Sequence, residues 1–302
     1  MQLIKPDINI DFVGKRKAAL IFSIVMILIG LASLVVKGGP NYGIDFTGGT
    51  LVQVKFAKPT DATAIKKSLS GLDLGNPVVQ SFGDNQNEFL IRVEKASGEL
   101  KGLSQQIEKV LDQTYETGNV EIRRVEMVGP QVGKDLRNKG MKALLYAMLG
   151  LLVYISWRFE FRFAVGAIVA LLHDVLITLG AFSVFGKEID LPIIAAFLAI
   201  IGYSLNDTII VYDRIRENKG KYHKETFPYI INRSINETLS RTLLTSGTTL
   251  LVVLALFILG GGVIHNFAFA MLVGVLVGTY SSIFVASPIL IFWDEKKAKK
   301  AK

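Results

Sequence analysis

Six long runs of apolar residues constrain this chain more than any other feature. They lie at residues 18–36, 141–157, 163–185, 191–212, 243–259 and 265–292. A helix needs roughly 17 to 25 apolar residues to cross a hydrocarbon core about 30 Å thick. Only structures that satisfy their own backbone hydrogen bonds are stable at that depth. Six transmembrane helices are therefore expected. The second run is short and is expected to begin a turn earlier, whereas the last is long enough to tilt or to pass the interface. Lys15-Arg16-Lys17 ahead of the first run resembles the charged start of a signal peptide. The run is longer than such a segment, and no small-x-small cleavage site clearly follows it, so it reads as a retained anchor.

Charge placement gives an orientation. One side holds Lys5, Lys15, Arg16 and Lys17, then Arg158 and Arg162, then seven basic residues between Asp213 and Thr242 and five after Trp293. The short connections on the other side hold Lys187 alone. An excess of Lys and Arg marks the cytoplasmic face. The expectation is a cytoplasmic segment 1–17, a cytoplasmic loop at 213–242, a basic cytoplasmic tail at 293–302, and residues 37–140 outside. That insert carries fourteen basic and thirteen acidic residues. The formal charge of +8 is thus a topology signal and not a nucleic-acid signature. Lys296, Lys297, Lys299 and Lys300 suit anionic membrane lipids. With no cysteine in the chain, disulfides and thiolate chemistry are excluded.

The insert reads as strand, helix, strand, strand, helix, strand. Val52, Val54 and Phe56 alternate with Gln53 and Lys55 between Gly48 and Ala57. Thr60 or Asp61 can cap a helix bearing Ile65, Leu69 and Leu72. Val78 to Phe82 forms the next strand, Gly83-Asp84-Asn85 a turn, and Phe89, Ile91 and Val93 a third strand. Leu100, Leu103, Ile107, Val110 and Leu111 recur at helical spacing before a last strand at Val120 to Val128. This β-α-β-β-α-β order is that of a ferredoxin-like α/β domain, a fold too widely shared to carry a function. The glycines of Tyr42 to Thr50 read as a tight connector. Neither they nor Gly129-Pro130-Gln131-Val132-Gly133-Lys134 completes a phosphate-binding loop, which needs wider glycine spacing and Ser or Thr after the lysine.

The ionisable groups inside the apolar runs are the candidate site. A charge at bilayer depth costs about 2.5 to 3.5 kcal/mol on insertion scales, so such groups pair up or line a pathway. The third run carries His173 and Asp174. The fourth carries Asn206, Asp207 and Thr208, and Arg241 opens the fifth at the same cytoplasmic level. Asp207 and Arg241 can meet if their helices are neighbours. Buried stripes are expected at Gly166, Ala170, His173, Asp174, Thr178 and Ala181, at Ala195, Ala199, Gly202, Tyr203, Asn206 and Asp207, and at Arg241, Thr245, Thr248 and Thr249. Gly274-x-x-x-Gly278 with Ser282 is a close-packing motif. His173 is equally well explained as a satisfied structural donor. Asp213 and Arg216 at the interface read as anchors and ion pairs. The sequon Asn206-Asp207-Thr208 lies inside an apolar helix and is noise. A dry carboxyl favours its neutral form and a nearby Arg favours the anion, so an Asp–Arg contact that breaks and re-forms takes up and releases a proton. The external segment has no histidine and hence no Ser-His-Asp set, and three histidines in all make no zinc site. No enzyme, cofactor or metal is expected.

Tyr42 to Thr50, Val128 to Gly133, Leu172 to Asp174, Gly202 to Thr208, Val211 to Glu217 and Ser234 to Thr249 together resemble the SecF family of protein-export membrane proteins. The resemblance implies an α-helical integral membrane protein, a six-helix half of an RND-type transporter with an inserted ferredoxin-like extracytoplasmic domain. It implies pairing with SecD and association with the SecY-type channel (SecYEG) in a bacterial inner membrane. It implies that the complex uses the proton-motive force there to help complete preprotein export. The family's intramembrane Asp falls on Asp207 and its essential Arg on Arg241, and a further carboxylate is supplied by SecD. Nothing resembling SecD is fused at either end, so the separate-subunit form is expected. An RND-type exporter half for lipids or small hydrophobic molecules is the alternative, and a passive scaffold the third reading.

Overall fold

The computed structural model describes residues 8–72, 74, 77–82, 87–93, 102–116 and 118–300. In chain order its elements are α1 (Arg16–Val36), α2 (Ile44–Thr47), β1 (Gly49–Phe56), α3 (Ala62–Ser68), β2 (Val78–Ser81), β3 (Glu88–Val93), α4 (Leu103–Tyr115) and β4 (Val120–Val128). There follow α5 (Pro130–Arg158), α6 (Phe161–Val184), α7 (Leu191–Lys221), α8 (Phe227–Leu259), α9 (Gly262–Ser281), a π-helical turn (Ser282–Ala286) and α10 (Ser287–Lys300). They fall into two compact units, one of residues 42–141 with 189–191 and one of the remainder.

The smaller unit is built on an antiparallel sheet ordered β2-β3-β1-β4. Val52, Val54 and Phe56 lie opposite Ile91, Phe89 and their neighbours, and one sheet face closes over Ile65 and Leu69 and over Leu103, Ile107 and Leu111 of α4. Alternation in the strands and 3.6-residue spacing in the helices therefore meet in one core, as the ferredoxin-like reading requires. Asp61 caps α3, its carboxylate accepting from the Thr63 amide at 3.1 Å. The expected turn at Gly83, Asp84 and Asn85, and Leu100 of the second helix, lie outside the described residues.

The glycine motifs are structural. Gly48 has φ +76, and a Cβ there would lie 2.7 Å from the Pro130 Cα. Gly133 approaches from the other side, where a Cβ would meet the Gly48 amide at 3.0 Å. The chain entering β1 and the first turn of α5 thus interlock backbone to backbone, which only residues without side chains allow. Pro130 opens α5 because its missing N–H is one the first turn leaves unpaired anyway.

Six helices among the described residues are long and apolar enough to span a membrane, at Arg16–Val36, Pro130–Arg158, Phe161–Val184, Leu191–Lys221, Phe227–Leu259 and Ile264–Glu295. Several run well past their apolar portions. α5 begins at Pro130 and not near 141, and residues 213–242, expected as a loop, are helical except for 222–226. Hydropathy ends where lipid ends, but helices do not. Ile215 in the extended part of α7 and Ile230, Ile231 and Ile235 in that of α8 are buried. Across this pair the Asn218 amide donates to Ser234 Oγ (3.0 Å) and Glu237 Oε2 (2.8 Å), and Arg214 pairs with Glu237 at 3.6 Å.

Candidate functional site

Small residues decide which helices come close. A Cβ on Gly30 of α1 would lie 2.7 Å from the Gly180 Cα of α6, so these two backbones touch. On α9, Gly274 receives the Ile200 side chain and Gly278 receives Ser204, whose Cβ would be 2.9 Å from a Cβ at Gly278. The Gly-x-x-x-Gly motif therefore seats α9 on α7. In a membrane, where lipid is as apolar as leucine, such close approach replaces the hydrophobic effect as the packing force.

Asp174 sits where α6, α7 and α9 converge, 1 % exposed. Its Oδ1 lies 2.9 Å from His173 Nδ1. Its Oδ2 accepts from Ser204 Oγ of α7 at 2.6 Å and from Ser281 Oγ of α9 at 2.8 Å. His173 Nε2 is 3.0 Å from Ser23 Oγ of α1. Ser23 Oγ is 3.1 Å from the Tyr280 hydroxyl, which donates to the Ala19 carbonyl at 2.7 Å. The His173 and Tyr280 rings stack at 6.0 Å. Both carboxylate oxygens and both ring nitrogens are occupied.

Asp207 is likewise 1 % exposed, and differently served. Ser246 Oγ of α8 donates to its Oδ2 at 3.2 Å, and Ser246 lies 2.7 Å from Thr279 Oγ1 of α9. Its Oδ1 has no hydrogen-bond partner among the described residues. A buried carboxylate oxygen left open is costly.

The remaining candidates divide. Thr208 is buried beside Asp207, whereas Asn206 is exposed on this chain. Arg241 forms no salt bridge with Asp207 and is exposed on α8. The buried line of α8 is Thr238, Thr242 and Ser246, so Arg241 lies one residue, about 100°, off it. The stripe expected on α7 is displaced likewise. Ala195, Ala199, Gly202 and Asn206 are exposed, and Ala196, Ile200, Ser204 and Asp207 are inside. On α6 the expected stripe is buried at Gly166, Ala170, His173, Asp174 and Thr178, with Ala181 half-buried. Asp213 pairs with Arg216 at 3.2 Å and Arg158 at 3.6 Å, on partly exposed surface. No group of three or more metal-ligating residues occurs among the described residues.

Sequence reasoning missed Ser23, Ser204, Ser246, Thr279, Tyr280 and Ser281. Ser204 had a local signal, a hydroxyl one turn before Asp207. Nothing local links Ser23 to His173, which are 150 residues apart.

Comparison with known proteins agrees with this architecture. The family described as "Protein export membrane protein SecD/SecF, C-terminal" matches residues 106–296, and the "SecD/SecF GG Motif" matches residues 32–60, which include the Gly48–Gly49 connector. A protein translocase subunit SecF from Magnetococcus marinus is 52 % identical over 99 % of this chain and 97 % of its own length. The chain belongs to the SecF family. The SecF of Escherichia coli O157:H7 is 45 % identical over 87 % of this chain and 82 % of its own length. A crystal structure of SecDF from Thermus thermophilus, described as a translocon-associated membrane protein, superposes with a TM-score of 0.88 at 35 % identity over 97 % of this chain. This chain spans 40 % of that SecDF chain. Within the SecF family fold, the chain is a multi-pass membrane protein.

Proposed function

We propose that this chain is an accessory subunit of the Sec protein-export machinery, pairing with SecD and the SecY-type channel in a bacterial inner membrane. It couples the proton-motive force to late preprotein translocation. Both termini are cytoplasmic and the ferredoxin-like domain is extracytoplasmic, a reading supported by the Lys and Arg excess on one side. The role is mechanical coupling and requires no cofactor.

The observation that carries the coupling is Asp207, buried in α7 with one carboxylate oxygen unpartnered and the other leading through Ser246 to Thr279. Arg241 lies on the same helix as Ser246, about 7.5 Å along the axis at 1.5 Å per residue. Arg stays protonated at every relevant pH, so Asp207 is the group that changes charge. A rotation of α8 by about 100° would bring Arg241 onto the buried line now held by Thr242. Contact would favour the anion and proton release, and separation would favour uptake. Moving one charge through 100 mV supplies about 2.3 kcal/mol. The exposed Ala195, Ala199, Gly202 and Asn206 of α7 suit close packing by a partner helix, in line with pairing to SecD.

The test is preprotein export into membrane vesicles under separately imposed proton and sodium gradients. Asp207→Asn is expected to abolish proton-gradient stimulation while leaving insertion and assembly intact. Normal export by Asp207→Asn would leave the chain a passive scaffold.

A further inference from the structure

Counting hydrogens through the cluster around Asp174 leads to a distinction between the two buried acids. The Tyr280 hydroxyl has one proton, and it is spent on the Ala19 carbonyl, which can only accept. The contact between Ser23 and Tyr280 must therefore have Ser23 as donor. Ser23 has then spent its own proton, so in the contact with His173 the donor is the ring Nε2–H. Ser204 donates to Asp174 Oδ2 at 2.6 Å, and the single Ser281 proton, with that oxygen at 2.8 Å and the Gly278 carbonyl at 3.1 Å, goes to the nearer acceptor, Asp174 Oδ2. One proton remains between His173 Nδ1 and Asp174 Oδ1, 2.9 Å apart. Whichever atom holds it, imidazolium with carboxylate or imidazole with carboxylic acid, the pair has no net charge, and every hydroxyl and ring N–H proton in the chain is committed.

We infer that His173 and Asp174 are a closed, net-neutral pair that positions α7 and α9 around Asp207, and are not carriers on a proton path through the membrane. A carrier must exchange its proton with a neighbour or with water. Here each neighbouring group is already committed, and the chain ends on a backbone carbonyl. Among the described residues, Tyr280 of α9 is the titratable group that faces the pair, while α1 and α7 present serines. What the pair holds is informative. Ser204 lies one turn before Asp207 on α7, and Ser281 lies two residues after Thr279, the partner of Ser246. Asp174 thus fixes, from α6, the two helices between which the Asp207–Ser246–Thr279 contacts form. Asp174 is a positioning residue, and Asp207, with its open oxygen, is the one placed to exchange.

This inference rests on the coupling role of Asp207, and asparagine separates the two acids. In Asp174→Asn the amide oxygen can accept from Ser204 and Ser281 and the amide N–H can donate to Nδ1 of a neutral, Nε2-protonated His173, so every bond is retained. Alanine leaves those donors unpaired. In the full complex reconstituted in vesicles, Asp174→Ala should slow gradient-driven export about tenfold, in keeping with several buried donors losing their acceptor. Asp174→Asn should recover most of that loss. The second readout is the infrared carboxyl band of Asp207, identified by its disappearance in Asp207→Asn. It should shift in Asp174→Ala and stay in place in Asp174→Asn. If Asp174→Ala does not accumulate, Ser204→Ala removes one donor and should shift the same band. Asp174→Asn as inactive as Asp207→Asn would make Asp174 a carrier and overturn the inference. An unshifted Asp207 band in Asp174→Ala would overturn the positioning role. Retained export by Asp207→Asn would refute the coupling reading instead, and the infrared comparison would still decide this one.

Discussion

Gly278→Ala is a small change with a large expected effect, because the space it needs is already taken. The new Cβ would lie 2.9 Å from Ser204 Cβ and 3.3 Å from Ser204 Cα. Carbon atoms rest at about 3.5 to 4.0 Å, so the Ser204 turn of α7 must retreat by roughly 0.7 Å. The atom that pushes is next to the 2.6 Å bond from Ser204 to Asp174, which lengthens and weakens. Overpacking of this kind costs about 1 to 3 kcal/mol, and an interhelical hydrogen bond in a membrane protein adds about 0.6, at most about 1.7. The expected loss is about 2 to 4 kcal/mol, a 30- to 700-fold change in the unfolding equilibrium at 1.4 kcal/mol per decade. Equilibrium unfolding in mixed micelles, followed by the fluorescence of Trp157 and Trp293, measures it. Gly247→Ala is the control, since a Cβ there meets nothing within 4 Å. Ser204→Gly in the same chain should relieve the clash, giving a coupling of about 1 to 2 kcal/mol in the double variant. If Gly278→Ala proves as stable as Gly247→Ala, close contact between α9 and α7 does not seat the site, and the reasoning fails.

Two further outcomes follow from charge. Arg241→Lys keeps the charge but loses the planar fork, so gradient-driven export in vesicles should be partial at most, and Arg241→Ala should lack it. An Arg241→Ala chain with normal export and an unchanged Asp207 carboxyl band would remove Arg241 from the coupling. Lys187, between α6 and α7 and 5.7 Å from the centre of the Phe269 ring, has its amine pushed below the usual lysine range by burial. The folded state therefore binds this proton less well than the unfolded state. Charging Lys187 costs stability at neutral pH, and the cost is relieved as pH rises through the lowered value towards about 10.4. Unfolding measured from pH 7 to 11 should show that rise in the parent and a flatter profile in Lys187→Gln; equal slopes would count against it.

The ferredoxin-like domain was legible in the sequence because its signals are local. Alternation at Val52, Val54 and Phe56, helical spacing at Leu103, Ile107 and Leu111, and an Asp cap each depend on a few neighbouring residues, and one core satisfies them all. The membrane helices were legible for a similar reason, since length and apolarity are properties of a segment alone. Their ends were not, because polar helices such as the last turns of α7 continue beyond the lipid with no change in helix-forming capacity. Asp174 and Asp207 stood out because a carboxyl inside an apolar run is costly wherever it sits.

What the sequence did not determine was how each membrane helix is rotated about its axis. In water, a polar stripe marks the outside and an apolar stripe the core. In a bilayer both the lipid face and the buried face are apolar, so that periodicity no longer tells them apart. The small residues of α7 therefore looked like a face buried within this chain, and the threonines of α8 like a lining for Arg241. Tertiary contacts decided otherwise. Gly278 against Ser204 turns Ser204 and Asp207 inward and leaves Ala199 and Asn206 outside, and Thr242 and Ser246 take the place that Arg241 was expected to hold. The sequence by itself determined the chemistry available at membrane depth. Which acid became enclosed and which kept an open oxygen was decided by serines on other helices, brought within 3 Å by contacts between segments far apart in the chain.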